Sequence, residues 1–120
     1  MTNTNKKILI IEDEEIFLSI LQKVFSSEGF SVLTAKDGKE GVSIAEKEKP
    51  DLIISDILMP RMDGLAMAKK MRELKISAPI IFLTNIENQE QNAKKFDYFI
   101  KSELHIDEIV AKVKKKLNVK

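Results

Sequence analysis

The chain has 120 residues, 20 Lys+Arg against 19 Asp+Glu, a formal net charge of +1, and 43% hydrophobic against 32% charged residues. One domain of ordinary size fits this length, and roughly two-thirds of the unfolded chain's surface can be buried, enough for a core without cross-links. The absence of cysteine excludes a disulfide scaffold, a zinc ribbon and a thiol enzyme, and the charge balance supplies no global pull toward nucleic acid or an anionic membrane.

Short apolar runs alternate with segments of helical spacing along the chain. Ile8-Leu9-Ile10-Ile11 is continuous rather than alternating, which predicts a strand buried on both faces. Phe17, Ile20, Leu21, Val24 and Phe25 form the apolar stripe of a first helix that Gly29 ends. A second strand is expected over 30–33, then a weaker helix around Val42 and Ala45 stopped by Pro50. Leu52-Ile53-Ile54 is a third strand, and Leu65, Ala68 and Met71 mark a helix over about 64–74. Met62, Met67 and Met71 read as core or loop filler. Ile80-Ile81-Phe82-Leu83 is a fourth strand and Tyr98-Phe99-Ile100 a weaker fifth. Ile106, Ile109, Val110, Val113 and Leu117 then stripe a last helix flanked by lysines 112, 114, 115, 116 and 120, a solvated face whose last charges suit a helix C-terminus. The polar residues 1–7 and the shortness of every apolar run predict no signal peptide and no spanning helix, so a cytoplasmic protein is expected.

Parallel strands need crossover helices, so five strand-helix alternations predict one doubly wound α/β domain over 1–120 around a five-stranded parallel sheet. In such sheets the ligand site lies at the carboxyl ends of the strands. There the sequence places Glu12-Asp13, Asp56, Thr84 and Lys101. Three acids brought together repel unless a cation sits among them, and Mg²⁺, which keeps several waters and needs only one or two direct carboxylates, resolves the conflict. A lysine beside the metal anticipates a further anion, and phosphoryl transfer suits such a set, since its transition state needs positioning and charge neutralisation and an aspartate can carry the phosphoryl group covalently. Each residue alone has a plainer reading. Residues 12–15 favour a helix N-terminus, Thr84 caps a strand end and Lys101 is a surface charge; Asp56, ending a buried strand, is harder to explain without a role.

The run Asp56-Ile57-Leu58-Met59-Pro60-Arg61-Met62-Asp63-Gly64, in register with the acidic pair, Thr84 and Lys101, resembles the receiver domain of two-component response regulators from about residue 7 to 117. The resemblance implies a flavodoxin-like (βα)5 fold and a signalling phosphoacceptor, not an enzyme with an external substrate. It implies that Asp56 accepts a phosphoryl group from a sensor histidine kinase or phosphotransfer protein, with Mg²⁺ held by Asp13, Asp56, the Leu58 backbone carbonyl and, through water, Glu12. Thr84 and Lys101 would bind phosphoryl oxygens, and Tyr98 would report phosphorylation by its position. Output would pass through contact with a downstream protein, with neither nucleic acid nor membrane expected as partner. Pro60 and Gly64 shape the loop after the acceptor.

Three positions depart from the family pattern. Asn85 follows Thr84 in place of a small residue and either narrows access or adds a hydrogen bond. Ser102 follows Lys101 in place of proline, so no cis peptide is expected there. Residues 84 and 101 are unusually close in sequence, and the polar, Gln- and Asn-rich segment 87–96 predicts a fourth helix that is short or irregular. The resemblance implies that positions 58 and 86, two after the acceptor and two after Thr84, influence attack by water; apolar Leu58 and Ile86 cannot orient that water, which predicts slow self-dephosphorylation. His105 reads as the N-terminal residue of the last helix. The alternative function is a constitutive receiver-like interaction module that no longer uses its pocket. An aspartyl-phosphate-type phosphatase is disfavoured because Leu58 replaces the general acid such enzymes place two positions after the nucleophile. Nucleotide binding lacks a glycine-rich loop after the first strand.

Overall fold

The computed structural model describes residues 4–59, 62–85, 97–103 and 105–119. Its strands are β1 (Lys7–Ile11), β2 (Ser31–Ala35), β3 (Leu52–Asp56), β4 (Ile80–Thr84) and β5 (Asp97–Ile100); its helices among the described residues are α1 (Glu15–Ser27), α2 (Gly38–Glu48), α3 (Gly64–Glu73) and the C-terminal α4 (Ile106–Leu117). The strands form one sheet in the order β2-β1-β3-β4-β5, every pair parallel. This is the doubly wound, flavodoxin-like arrangement, with the switch in strand order between β1 and β3.

The continuous apolar runs have a direct cause. Leu9, Ile11, Ile53, Ile80 and Phe82 pack with Val42, Ala45, Met67, Ala68 and Met71, the inward residues of α2 and α3. Their strand neighbours Ile8, Ile10, Leu52, Ile54, Ile81 and Leu83 face the opposite way, onto Leu21 and Phe25 of α1 and Ile109 and Val113 of α4. Side chains alternate across the sheet, so helices on both faces require apolar residues at every position. Each fully buried Leu or Ile contributes roughly 1.5–3 kcal/mol.

The helix boundaries follow local chemistry. Asp37 and Asp63 cap α2 and α3 by accepting from the backbone N–H of Glu40 and Ala66, both at 2.8 Å. After α1 the chain turns at Gly29 with φ 95°, a conformation that suits glycine. One expectation needs correcting. Ile20 is 45% exposed and Ile16 78% exposed, because the buried line of α1 runs through Leu21 and Phe25 and position 20 sits about 100° around the helix from position 21. His105 is the N-cap of α4, with no side-chain capping bond. Pro60, Ile86 and the segment 87–96, where a short or irregular helix is expected, lie outside the described residues. Among the described residues, no helix is long and apolar enough to cross a membrane.

Candidate functional site

Glu12 directly follows β1, and its N–H still donates to Ala35 O of β2 at 3.0 Å, so the strand ladder holds its backbone in place. Its carboxylate turns inward and is almost fully buried: Oε2 accepts from the N–H of Glu14 at 3.0 Å, and Oε1 lies 2.6 Å from Lys101 Nζ. Asp56 ends β3 on the other side of the strand switch. Its Oδ2 accepts from Lys101 Nζ at 3.0 Å and its Oδ1 from the N–H of Leu58 at 3.3 Å.

The backbone behind Asp56 is fixed from several directions. Ser55 Oγ donates to the Asp56 carbonyl at 2.9 Å, Ile57 N–H donates to Leu83 O at 3.1 Å, and Gly64 N–H donates to Ile57 O at 2.6 Å. A Cβ on Gly64 would stand 2.5 Å from the Asp56 carbonyl oxygen and 2.9 Å from Ile57 Cα. Glycine is therefore required by this close approach, which locks the start of α3 against the acceptor strand.

Lys101 enters from the end of β5, at the start of a single 3-10 turn, Lys101–Glu103. Its side chain is only 9% exposed. Besides Glu12 and Asp56 it lies 3.8 Å from Glu14 Oε1, and its ammonium sits over the Phe17 ring, 4.8 Å from the centroid. Asp13, Asn85 and Leu58 are exposed, and with Glu12, Glu14, Asp56 and Lys101 they line an open cleft of about 450 Å³. Thr84 is buried at the end of β4, and Tyr98 is half-buried in β5 against the core layer under α2 and α3; neither lines the cleft. Tyr98 stands opposite Phe82 in register, so Thr84, two residues beyond Phe82, shares its face of the sheet.

The electrostatics are unbalanced. Burial pushes the carboxyl groups of Glu12 and Asp56 above the usual range, although hydrogen bonding to Lys101 opposes the shift. Burial alone would lower the Lys101 ammonium, but the two carboxylates together hold it above its ordinary value. One ammonium thus serves two buried carboxylates, with Asp13 and Glu14 adding negative charge at the mouth. One oxygen from each of Glu12, Asp13 and Asp56 lies within 4.8 Å of the others. The partner of the buried Glu12 Oε1 is the Lys101 ammonium, which it shares with Asp56, so the carboxylates outnumber the cation between them. An all-carboxylate donor set in such excess fits a hard divalent cation.

The structure therefore brings Glu12, Asp13, Asp56, Leu58 and Lys101 to one cleft and keeps Thr84 and Tyr98 on a common sheet face beside it. The helix-start reading of the acidic run holds for Glu15, in the first turn of α1, and fails for Glu12, whose carboxylate is in the site. Phe17 and Glu14 reach Lys101 although the sequence reading placed one in the apolar stripe and the other in the acidic run rather than in the site; the available signal was their place in and just before the first turn of the helix that follows the acidic pair.

Residues 8–114 match the response regulator receiver domain family. Over 108 residues the chain is 39% identical to the alkaline phosphatase synthesis transcriptional regulatory protein PhoP of Bacillus subtilis, covering 90% of this chain and 42% of that protein. Over 113 residues it is 35% identical to the Regulator of RpoS of Escherichia coli, covering 94% of this chain and 32% of that protein. The chain thus spans less than half the length of these curated relatives. The response regulator TrrA of Thermotoga maritima, solved in complex with Mg²⁺-BeF, superposes with a TM-score of 0.83 at 32% identity, covering 92% of this chain and 98% of the other. With a family match over most of its length and the acidic cleft where such sheets carry their sites, the chain belongs to the response regulator receiver domain family, a signalling family of two-component systems.

Proposed function

We propose that residues 1–120 act as a single receiver domain in which Asp56 accepts a phosphoryl group from a phosphohistidine of a sensor histidine kinase or phosphotransfer protein. The observation that supports this most strongly is the position of Lys101, bridging Asp56 Oδ2 at 3.0 Å and Glu12 Oε1 at 2.6 Å beside Asp13 in an open cleft. Asp13, Asp56 and the Leu58 carbonyl would hold Mg²⁺, with Glu12 contributing through water; the ion would neutralise charge on the transferring phosphoryl oxygens.

The chain's own residues do the rest. The N–H of Leu58 orients the Asp56 carboxylate by holding Oδ1. A carboxylate oxygen forms the new O–P bond as the N–P bond of phosphohistidine breaks, its electron pair staying on the departing imidazole nitrogen. Lys101 then redirects its N–H hydrogen bond from Asp56 Oδ2 to a phosphoryl oxygen, and the Thr84 hydroxyl donates to another. Thr84 and Tyr98 share a sheet face, so drawing Thr84 toward the phosphoryl group opens room for Tyr98 to turn inward. That change biases a two-state surface read by a downstream protein. The chain acts on no external substrate; it promotes at most its own phosphorylation and dephosphorylation. The constitutive-module reading is less favoured, because buried carboxylates clustered in excess of their cation are costly to retain without a use.

The test is the intact mass of the protein after incubation with Mg²⁺ and acetyl phosphate. A single phosphoryl adduct that requires Mg²⁺ and is lost in Asp56→Asn is the expected result. An adduct that persists in Asp56→Asn, or none in the folded wild type, would overturn the assignment.

A further inference from the structure

Lys101 is held by groups of two different chemistries. Three are carboxylate oxygens: Glu12 Oε1 at 2.6 Å, Asp56 Oδ2 at 3.0 Å and Glu14 Oε1 at 3.8 Å. The other is the face of Phe17, with its ring centroid 4.8 Å from Nζ. Phe17 sits in the first turn of α1, and its ring also packs on the core layer under α1 and α4. One aromatic side chain therefore ties the ammonium to the fold's interior.

We propose that Phe17 is a positioning residue for the phosphoacceptor site, holding the Lys101 ammonium over its ring so that the nitrogen is shielded from water and free to move between Asp56 and the incoming phosphoryl group. The inference rests on the reading of Asp56 as acceptor and adds a residue to it. The physical basis is the ring quadrupole, whose negative face attracts a cation, more strongly where both are withdrawn from water. An aliphatic side chain in the same place would exclude water without attracting the cation. A carboxylate or carbonyl there would attract it but add a directional hydrogen bond to be broken. The ring face does neither: its attraction is broad, so Nζ can shift from Asp56 Oδ2 to a phosphoryl oxygen without leaving it. Lys101 is 9% exposed and already bonded to Glu12 and Asp56, and the ring adds an attraction that does not have to be broken when Nζ exchanges Asp56 for a phosphoryl oxygen.

Two substitutions separate ring from bulk. Phe17→Leu keeps an apolar side chain and removes the π face, while Phe17→Tyr keeps the face; thermal unfolding of each checks that the fold is retained. Two quantities are read: the initial rate of Asp56 phosphorylation from acetyl phosphate with saturating Mg²⁺, and the chemical shifts of the Lys101 Cε methylene protons, which an overlying ring displaces. The expected result is a roughly five- to thirty-fold slower rate in Phe17→Leu, from a cation–π contact of about 1–2 kcal/mol, with Mg²⁺ affinity within about twofold. The ring-current displacement should vanish in Phe17→Leu, and Phe17→Tyr should restore both rate and displacement. The proposal is overturned if folded Phe17→Leu matches the wild type, or if folded Phe17→Tyr falls as far as Phe17→Leu, since bulk rather than the ring would then matter. If the wild type forms no adduct, the acceptor reading fails. The methylene shifts then decide alone: a displacement that disappears in Phe17→Leu supports Phe17 as the group holding Lys101, and one that is absent or unchanged overturns it.

Discussion

Two clusters of acid and lysine on this domain invert each other's arithmetic. In the cleft, Glu12 and Asp56 share the ammonium of Lys101, and all three side chains are almost or largely removed from water. At the start of β5, Asp97 alone receives two ammonium groups, Lys112 at 3.3 Å and Lys116 in closer contact, with side chains about one-third exposed. The surface cluster is electrically satisfied, and hydrogen bonding to Lys116, then to Lys112, holds the Asp97 carboxyl below its usual range. In the cleft, burial wins over Lys101 and both acids are pushed upward. The same residue types thus make a small structural tie in one place and, in the other, a site with unused capacity for positive charge.

The sharpest way to break this contrast is to remove the shared cation. Lys101→Met leaves two buried carboxylates facing each other, and losing the partner of buried charges costs about 3–5 kcal/mol. Urea unfolding of the metal-free protein near neutral pH should show a loss of that size, and a loss below about 1 kcal/mol would mean the cleft is better hydrated than its geometry implies.

Removing one of the two acids should act in the opposite direction. Asp56→Asn keeps the shape, leaves Lys101 paired with Glu12 alone and eliminates a buried charge, so the metal-free variant should gain about 1 kcal/mol in the same experiment. Destabilisation would show that Asp56 is fully compensated already.

The smallest effect belongs to the surface cluster. Asp97→Asn should cost under about 1 kcal/mol and less in high salt. Because the folded-state pKa of Asp97 is depressed, its contribution is fully present above its unfolded value, about 3.9, and disappears as pH falls through the folded value. The stability difference between wild type and variant should therefore be constant near pH 6 and shrink below about pH 4. A difference that grows on acidification would reverse the assigned sign.

What could be read from the sequence followed from how local each cause is. The strands were legible because a sheet covered on both faces demands unbroken apolar runs such as Ile8-Leu9-Ile10-Ile11. Asp56 was legible because a carboxylate ending a buried strand has few structural explanations. Ile20 was misplaced because a stripe of five apolar residues on α1 is wider than the strip the sheet covers, and only packing decides which edge stays wet. The pairing of Lys101 with Asp56 spans 45 positions and depends on β5 lying beside β4, so the sequence suggested the neighbourhood without the bonds. Phe17 read as core because its contact with the core and its contact with Lys101 leave the same apolar signature in the sequence. The roles of Asp63 and Gly64 were only partly visible: one is a helix cap, and the other is a close approach to the Asp56 carbonyl that depends on tertiary structure.

The most direct measurement of the central claim is the location of the phosphoryl group. The protein is phosphorylated with acetyl phosphate and Mg²⁺, then reduced with borohydride, which converts an aspartyl phosphate to homoserine, and the modified residue is placed by tandem mass spectrometry. Homoserine at position 56 alone is the predicted result. Modification at Asp13, or at any residue outside the cleft in place of Asp56, would contradict the account.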